Sequence, residues 1–328
     1  MRTLDLDIVV TRGATVESRH VVHAAVIEAD GTIMAQAGNP DLVAHWRSCA
    51  KPLQVHPFVE SGNFAAVGWG PRELALACAS HGGEPEHVEI AASMLASIGL
   101  SEHDLACGGH EPLSRRGARL LREQSLAPTR LHNNCSGKHS AMLASALRQG
   151  WPSAGYDLPS HPVQQQIRRL LGRWTGVENG ALDVATDGCG VPVFILTLRQ
   201  MALAYARLAQ AANAEAPAGQ IVDAMRTHPF LVGGTDRFDT MVMEETAGAV
   251  VTKLGAEGVH SVLLRERGIG FAVKVEDGHS RAQYPAMLRL LQHFDALPAA
   301  LPPRLADILI APVYDTRGYR IGEVRPAA

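Results

Sequence analysis

The order of strand-like and helix-like segments is the feature that most limits what this chain can fold into. Strand-like patterns lie near both ends, and helical patterns fill the middle. A regular alternation of strands and helices would indicate a parallel nucleotide-binding sheet, and this chain does not show it. We therefore predict an α+β fold in a single domain over residues 1–328, with an antiparallel sheet flanked by helices.

The individual elements are predicted from periodicity and turn signals. Residues 20–37 contain apolar runs on both sides of Asp30-Gly31, which is typical of a hairpin with a type I′ turn. Other strands are expected at residues 4–10, 249–254, 260–265, 271–275 and 319–324. Helices are expected at residues 71–79, 85–98, 116–124, 137–148, 161–174, 193–211, 220–226 and 282–294.

Composition and charge exclude several classes of function. The net charge of −3 gives no reason to expect a nucleic acid or a membrane surface as partner. The chain has no apolar run of about 18 residues, and its first ten residues lack a signal-peptide pattern. Five cysteines in a chain of this length do not form a disulfide framework. These features favour a cytoplasmic protein with reduced thiols.

Lysine is scarce in this chain, and its positions are therefore informative. Of 30 basic residues only four are lysines, namely Lys51, Lys138, Lys253 and Lys274. A buried lysine amine can lose its proton, whereas an arginine guanidinium effectively cannot. Each lysine is thus a candidate for chemistry that arginine cannot perform, although some of them are expected to be ordinary surface residues.

The segment Ser48-Cys49-Ala50-Lys51 forms a Ser-x-x-Lys motif. If a helix begins near Arg47, the side chains of Ser48 and Lys51 share one face, and the amine can reach the hydroxyl. A lysine that loses its charge on burial can then accept the serine proton. The motif alone is weak, since a helix cap followed by a solvated lysine would have the same sequence.

A later segment around Lys253 resembles part of the serine β-lactamases, and the segment around Ser80 offers a second hydroxyl. Lys253-Leu254-Gly255 ends a predicted strand, much as Lys-Thr-Gly does in serine β-lactamases and penicillin-binding proteins. This order suggests that Lys253 faces a second hydroxyl. Ser80, which precedes His81 and two glycines, is the candidate for that hydroxyl, although such turns are often only structural.

The densest polar cluster is the segment Asn133–His139, which opens a predicted helix. Helix N–H groups at such a start suit an anionic group or a developing oxyanion. A second loop, Asp187–Gly190, has a similar composition. Cys135 and Cys189 are possible metal ligands, but their separation in sequence is weak support.

Taken in order, these motifs resemble the rhizobial-type (class 3) L-asparaginases, the asparaginase II family. The resemblance covers nearly the whole chain and rests on five ordered segments: Arg47-Ser48-x-x-Lys51, Ser80–Gly83, Asn134–His139, Asp187–Gly190 and Lys253-x-Gly255-Ala256-Glu257-Gly258.

The resemblance implies a homodimer whose fold is similar to the serine β-lactamase and glutaminase scaffold. It implies two catalytic Ser-Lys pairs, Ser48 with Lys51 and Ser80 with Lys253. It also implies a zinc ion held by Cys135, Lys138 and Cys189, and substrate contacts from Arg47, His81, Asn134, His139 and Asp187. One position departs from the family pattern, because Asp239 stands where the type member has a cysteine.

We expect an L-asparaginase that hydrolyses asparagine to aspartate and ammonia through an acyl-enzyme. Ser48 is expected to attack with Lys51 as its base, while Ser80 and Lys253 relay protons or assist the attack. A glutaminase or a penicillin-recognising amidohydrolase on the same scaffold is one alternative, since an extra methylene is discriminated by only about 1–3 kcal/mol. A catalytically idle zinc-bearing binding protein is another.

Overall fold

The computed structural model describes residues 1–178, 181–214 and 216–327. The predicted domain of residues 1–328 therefore includes four positions outside the described residues, Asn179, Gly180, Glu215 and Ala328. The strands in the described residues are β1 Arg2–Leu4, β2 Ile8–Arg12, β3 Thr15–His20, β4 Val22–Glu28, β5 Ile33–Ala37, β6 Val43–His45, β7 Asp183–Thr186, β8 Pro192–Thr197, β9 Val250–Leu254, β10 Val259–Leu264, β11 Ile269–Val275, β12 Ala311–Tyr314 and β13 Arg320–Pro326.

The α-helices of the same residues are α1 Lys51–Glu60, α2 Asn63–Ala66, α3 Pro71–Ala77, α4 Pro85–Ser97, α5 Arg115–Glu123, α6 Ser136–Arg148, α7 Pro162–Thr175, α8 Leu198–Ala211, α9 Ala216–Thr227, α10 Pro229–Val232, α11 Phe238–Glu245, α12 Ser280–Gln292 and α13 Pro303–Leu309. Short 3₁₀ turns lie at Arg47–Ala50, Glu102–Asp104, Arg130–His132 and Arg265–Arg267. None of the described helices is both long enough and apolar enough to cross a bilayer. The α+β class predicted from the sequence is confirmed.

The chain forms two compact units, and the first contains most of the strands. It comprises Met1–Cys49, Leu196–Gln210 and Met241–Ala328. Its described residues form a six-stranded sheet in the order β1-β5-β4-β11-β10-β9 and a four-stranded sheet in the order β12-β13-β2-β3. Strands β9 and β10 are buried along their whole length, so their side chains on both faces belong to the core.

Helix packing in the first unit depends on one glycine. α12 packs on β10 and β11, and α8 comes close to β11 at Gly270. A β-carbon at Gly270 would overlap the backbone of Ala202 and Ala206, so only glycine permits this approach. The contact holds α8, and with it Tyr205, against the sheet.

The second unit is mainly helical and comprises Ala50–Ile195 and Ala211–Thr240. Helix α6 is its centre: residues 136–146 are all buried, and α1, α3, α4 and α7 pack around them. Gly137 allows α6 to touch the end of α3, because a β-carbon there would overlap the carbonyl of Leu76. The start of α6 is therefore close to the segment after α3 that carries Ser80.

Some details differ from the sequence predictions. The predicted helix at residues 193–211 begins as strand β8, and only Leu198–Ala211 is helical. The described strands divide among three sheets where one was expected, and β1 pairs with β5 in parallel. The hairpin around Asp30-Gly31 is confirmed, but its turn is not type I′. Gly31 has a φ of 95°, while Asp30 is absent from the described residues with positive φ.

Candidate active site

The first unit carries Arg47, Ser48 and Lys253 of the predicted site. The turn before Ser48 is unusual, because Arg47 has a φ of 50°, in the left-handed region that non-glycine residues rarely adopt. Such a conformation persists only where the surrounding contacts impose it, and it is common at functional sites. Ser48 follows in a 3₁₀ turn and is half-buried.

Three buried side chains fix this turn to its surroundings. The indole Nε1 of Trp46 donates to Ser261 Oγ at 3.0 Å, and Ser261 lies opposite Lys253 in the β9–β10 ladder. The Cys49 thiol donates to the backbone carbonyl of Lys253 at 3.1 Å. The Tyr205 hydroxyl donates to the backbone carbonyl of Cys49 at 2.7 Å. The backbone on each side of Ser48 is thereby tied to the strand that carries Lys253 or to α8.

Lys253 is fully buried near the end of β9. Its Nζ donates to the backbone carbonyl of Leu254 at 2.8 Å. The next residue but one, Gly255, leaves little room for a side chain, because a β-carbon there would lie 3.0 Å from the sulfur of Cys49. The glycine of the Lys-x-Gly pattern is thus explained by its close packing against Cys49, next to the buried Lys253.

The second unit joins Lys51 to Ser80. Lys51 is fully buried as the first residue of α1, and its Nζ lies 3.1 Å from Ser80 Oγ. The same nitrogen contacts two backbone carbonyl oxygens, that of Ala79 and, at 3.1 Å, that of Asn134. Carbonyls can only accept hydrogen bonds, whereas a hydroxyl can also donate one. Ser80 is therefore a neighbour of Lys51 with which a proton can be exchanged.

His81 supports the loop that carries Ser80. The Gly83 N–H donates to His81 Nδ1 at 3.1 Å, which leaves the proton on Nε2 to be donated to Ser136 Oγ at 2.9 Å. His81 is fully buried, and burial, reinforced by the nearby positive charge, holds its pKa well below the usual value. A neutral imidazole that uses both ring nitrogens in this way ties the Ser80 loop to α6.

Cys135, Lys138 and Cys189 come together in the second unit, although Cys189 is distant in sequence. Lys138 Nζ lies 3.0 Å from the sulfur of Cys189, and all three side chains are buried. A hydrogen bond from Cys135 and the adjacent Lys138 charge lower the pKa of Cys189 to about 4, against the effect of burial. Donation of that hydrogen bond, together with burial, raises the pKa of Cys135 to about 12.

The charge of Lys138 responds to the same thiolate. Burial by itself would lower the pKa of Lys138, but the negative charge of Cys189 outweighs burial and raises it above the ordinary value. Asp187 is half-buried in the β7–β8 loop and adds to the negative charge felt by Lys138.

The donor set of this cluster fits a zinc ion chemically. Zinc accepts two cysteine sulfurs, and the Lys138 nitrogen would add a third donor only as the neutral amine, which would leave a fourth position for a small molecule. In the part of the chain that the structure describes, no three His, Cys, Asp or Glu side chains gather as a metal site. Any such site would thus need the Lys138 amine. Asp239, at the position of the family cysteine, is fully buried in α11.

His139 has one buried ring nitrogen without a hydrogen-bond partner in the described part of the chain. The Tyr156 hydroxyl accepts from the Ala106 N–H at 2.8 Å, so its own proton points to His139 Nδ1 at 2.6 Å. The imidazole proton is then on Nε2, which is buried and has no hydrogen-bond partner among the described residues. Burial and the nearby Lys138 charge lower the pKa of His139 to about 3. A neutral N–H in this position suits an acceptor atom of a ligand.

Asn134, the remaining predicted substrate contact, lies at the start of the polar cluster. Its N–H donates to His110 Nε2 at 3.1 Å, and its carbonyl is the acceptor that meets Lys51. Lys51, Ser80, His81, Asn134, His139 and Asp187 therefore all lie in the second unit with the cysteine–lysine cluster.

Sequence reasoning missed the residues that hold these groups in place. Tyr156 orients His139, but an isolated tyrosine in a loop carries no motif. Tyr205 lies on the buried face of α8 and has the sequence signature of an ordinary core residue. Cys49 lies inside the Ser-x-x-Lys motif. Its thiol can donate a hydrogen bond, and this property was the only local sign that it could hold the turn in place.

Comparison with known proteins identifies the family. The profile of the L-asparaginase II family matches residues 8–326, and the chain therefore belongs to that family. No curated protein matches the chain significantly.

Several solved structures are also similar to the chain. Mglu in its native form has 15% sequence identity and a TM-score of 0.47, and the match covers 84% of this chain and 64% of Mglu. A beta-lactamase from Mycobacterium bovis has 12% identity and a TM-score of 0.40, with coverage of 84% and 95%. This chain therefore spans less than two thirds of the length of Mglu.

Proposed function

We propose that this protein is an L-asparaginase that hydrolyses asparagine to aspartate and ammonia through a serine-linked acyl-enzyme. The observation that carries the proposal is the buried Lys51, whose Nζ lies 3.1 Å from Ser80 Oγ and also meets two carbonyl oxygens. In the neutral amine, the two carbonyls take both N–H groups and the lone pair remains for a hydroxyl proton. Such an arrangement supports a lysine base.

In the proposed reaction, Ser48 Oγ attacks the side-chain amide carbon of asparagine. Lys51 accepts the proton of Ser48 as the new C–O bond forms. Ser80 passes that proton from Lys51 to the leaving nitrogen as the C–N bond breaks, so that ammonia departs. Water then hydrolyses the ester in a second step and regenerates Ser48. We assign Lys253 the role of supporting proton transfer and charge near the reacting groups.

Substrate recognition is proposed to use charges and one buried donor. The Nε2–H of His139, which has no hydrogen-bond partner within the described part of the chain, would donate to a substrate oxygen. This hydrogen bond would remove the free-energy cost of a buried donor without an acceptor. Asp187 would attract the α-ammonium of asparagine, and Arg47 its α-carboxylate. His81 and Asn134 would act beside the substrate by holding Ser80 and Lys51.

We further propose that Cys135, Lys138 and Cys189 hold a zinc ion. Lys138 would have to be neutral there, since an ammonium has no lone pair to donate. When bound, zinc would supply positive charge that orients the substrate, while Ser48 remains the nucleophile. We also propose a homodimer, which sedimentation of the purified protein would test.

An assay of ammonia release tests the proposal directly. Asparagine, glutamine and a chromogenic β-lactam are offered in parallel to the wild-type protein and to Lys51→Arg. Turnover of asparagine that Lys51→Arg abolishes supports the proposal. Preference for glutamine or the β-lactam would favour the alternative amidohydrolases, and no turnover of any substrate would favour a binding protein.

A further inference from the structure

A groove of about 950 Å³ lies in the second unit, between the first turns of α5 and the segment Thr235–Arg237. We propose that this groove binds a small anion with two or more phosphate groups, and that the bound anion alters the loop that carries Ser80. None of the residues assigned above to catalysis or to zinc lines it.

The groove carries an excess of positive charge. Arg115, Arg119 and Arg122 are exposed on α5 and recur at helical spacing, so they form one stripe about 10 Å long. Arg119 has an exposed partner in Glu123 at 3.7 Å. For Arg115 and Arg122 no ion pair occurs within the described residues. The stripe therefore presents positive charge to solvent in a protein whose net charge is −3.

The opposite wall adds a guanidinium with an unmet hydrogen bond. Arg237 lines the groove, and its Nε is buried without a hydrogen-bond partner among the described residues. Asp236, next to it, is the single carboxylate among the described residues that line the groove. A buried N–H without an acceptor is costly, so an acceptor supplied by a ligand would stabilise this wall.

Phosphate is the ligand chemistry that these residues fit best. A guanidinium group can bind two phosphate oxygens at once. The groove has more guanidinium groups than a ligand with a single carboxylate could engage. The length of the arginine stripe matches a chain of two or three phosphates. Pro112 and Leu113, of which Leu113 is 44% exposed, provide an apolar wall for any organic part of the ligand.

Both walls of the groove are bonded to the loop that follows Ser80. From the α5 side, the Ser114 N–H donates to the carbonyl of Gly82 at 3.0 Å, and Arg116 pairs with the buried Glu84 at 2.5 Å. From the other side, the N–H and hydroxyl of Thr235 donate to the same carboxylate at 2.7 and 2.8 Å. A ligand that pulls on either wall therefore acts on Glu84 and, through it, on Ser80.

Isothermal titration of the full chain with pyrophosphate, ATP and inorganic phosphate tests binding. Pyrophosphate and ATP should bind more tightly than phosphate, and Arg115→Ala/Arg122→Ala should weaken them roughly tenfold or more. The control Arg72→Ala/Arg148→Ala removes two other exposed arginines of the same unit and should change affinity by less than about twofold. Circular dichroism verifies that both variants are folded.

Three results would overturn the binding inference. One is the absence of binding by pyrophosphate and ATP, and another is an equal loss of affinity in the control variant. The third is binding of a poly-glutamate peptide without binding of any phosphate compound, which would indicate a protein partner. None of these measurements depends on asparagine turnover.

The regulatory part rests on the proposed asparaginase function. Saturating ATP or pyrophosphate should change the KM for asparagine about threefold or more in the wild type and leave Arg115→Ala/Arg122→Ala unaffected. An unchanged KM in the presence of bound anion would overturn the link to the Ser80 loop. If the wild type does not turn over asparagine even without an added anion, the proposed function is wrong. The titration experiments then still decide whether the groove binds phosphate compounds.

Discussion

The hydroxyl of Tyr205 donates a hydrogen bond of 2.7 Å to the backbone carbonyl of Cys49, the residue after Ser48. Both residues are fully buried. The bond therefore fixes the turn around Ser48 from a helix that begins about 150 residues further along the chain. Arg47, the residue directly before Ser48, is held in the left-handed region. The position of the proposed nucleophile thus depends on a distant core residue.

Tyr205→Phe should lower kcat for asparagine roughly tenfold and change KM less than kcat, because the turn around Ser48 loosens while the proposed substrate contacts of the second unit remain. Tyr314→Phe is the control, since Tyr314 is exposed and its hydroxyl should not affect turnover. Steady-state kinetics on both variants provide the comparison. An unchanged kcat in Tyr205→Phe would show that the hydrogen bond does not position Ser48.

Ser48→Ala should lower kcat by roughly 10³-fold or more with little effect on folding, because the attacking hydroxyl is lost. Ser80→Ala should also slow turnover, but it should still form an acyl-enzyme on Ser48 that mass spectrometry can detect after rapid quenching. A Ser48→Ala enzyme that keeps a tenth or more of wild-type turnover would transfer the role of nucleophile to Ser80.

Lys51→Arg and Lys253→Arg should be nearly as inactive as the corresponding alanine variants. Arginine keeps the positive charge but cannot serve as a base near neutral pH. Lys274→Arg is the matched control, since Lys274 donates to backbone carbonyls such as that of Glu257, a role a guanidinium can also fill. Near-normal activity of Lys51→Arg or Lys253→Arg would rule out a general base at that position.

Glu84→Gln should reduce stability in a pH-dependent way. Burial raises the pKa of Glu84, but hydrogen bonds from Arg116 and Thr235 outweigh it and lower the pKa below 4.5. A carboxylate with a depressed folded-state pKa stabilises the fold above its unfolded pKa, and this contribution disappears as pH falls through the folded value. The free energy of unfolding of the variant should therefore be about 1–3 kcal/mol lower than that of the wild type near pH 7, and this difference should shrink below about pH 4.5.

Urea unfolding of wild type and Glu84→Gln between pH 3 and pH 8 measures this difference. Glu86→Gln is the control, since Glu86 also pairs with Arg116 but is 41% exposed, and its loss should cost less than about 1 kcal/mol. A stability difference that is constant over the whole pH range would show that the charge of Glu84 is not the stabilising feature.

Zinc removal should weaken asparagine binding more than it slows the chemical step, so partial turnover should survive chelation at saturating substrate. Metal analysis should find about one zinc per chain in the wild type and much less in Cys135→Ala or Cys189→Ala. Cys78→Ala, a buried cysteine outside the cluster, is the control. A complete loss of turnover that zinc restores would assign the metal a direct catalytic role.

Much of the fold and part of the site could be predicted from local sequence. The hairpin of β4 and β5 and the helices α3 to α7 were predicted to within about two residues at each end, because their periodicity and turn residues are local signals. The first five residues of the predicted helix at residues 193–211 belong to strand β8. An apolar run of that length has no period that separates a buried strand from a buried helix.

The sequence by itself determined which side chains are available for chemistry. Its four lysines, its Ser-x-x-Lys motif and its two polar loops can be identified without coordinates. Tertiary structure alone decided which of them meet: Lys51 with Ser80, and Lys138 with Cys189. It also decided that Tyr156 contacts Nδ1 of His139, while Nε2 has no hydrogen-bond partner among the described residues. The reason is physical, since residue type sets the available donors and charges, while long-range packing sets distances and burial.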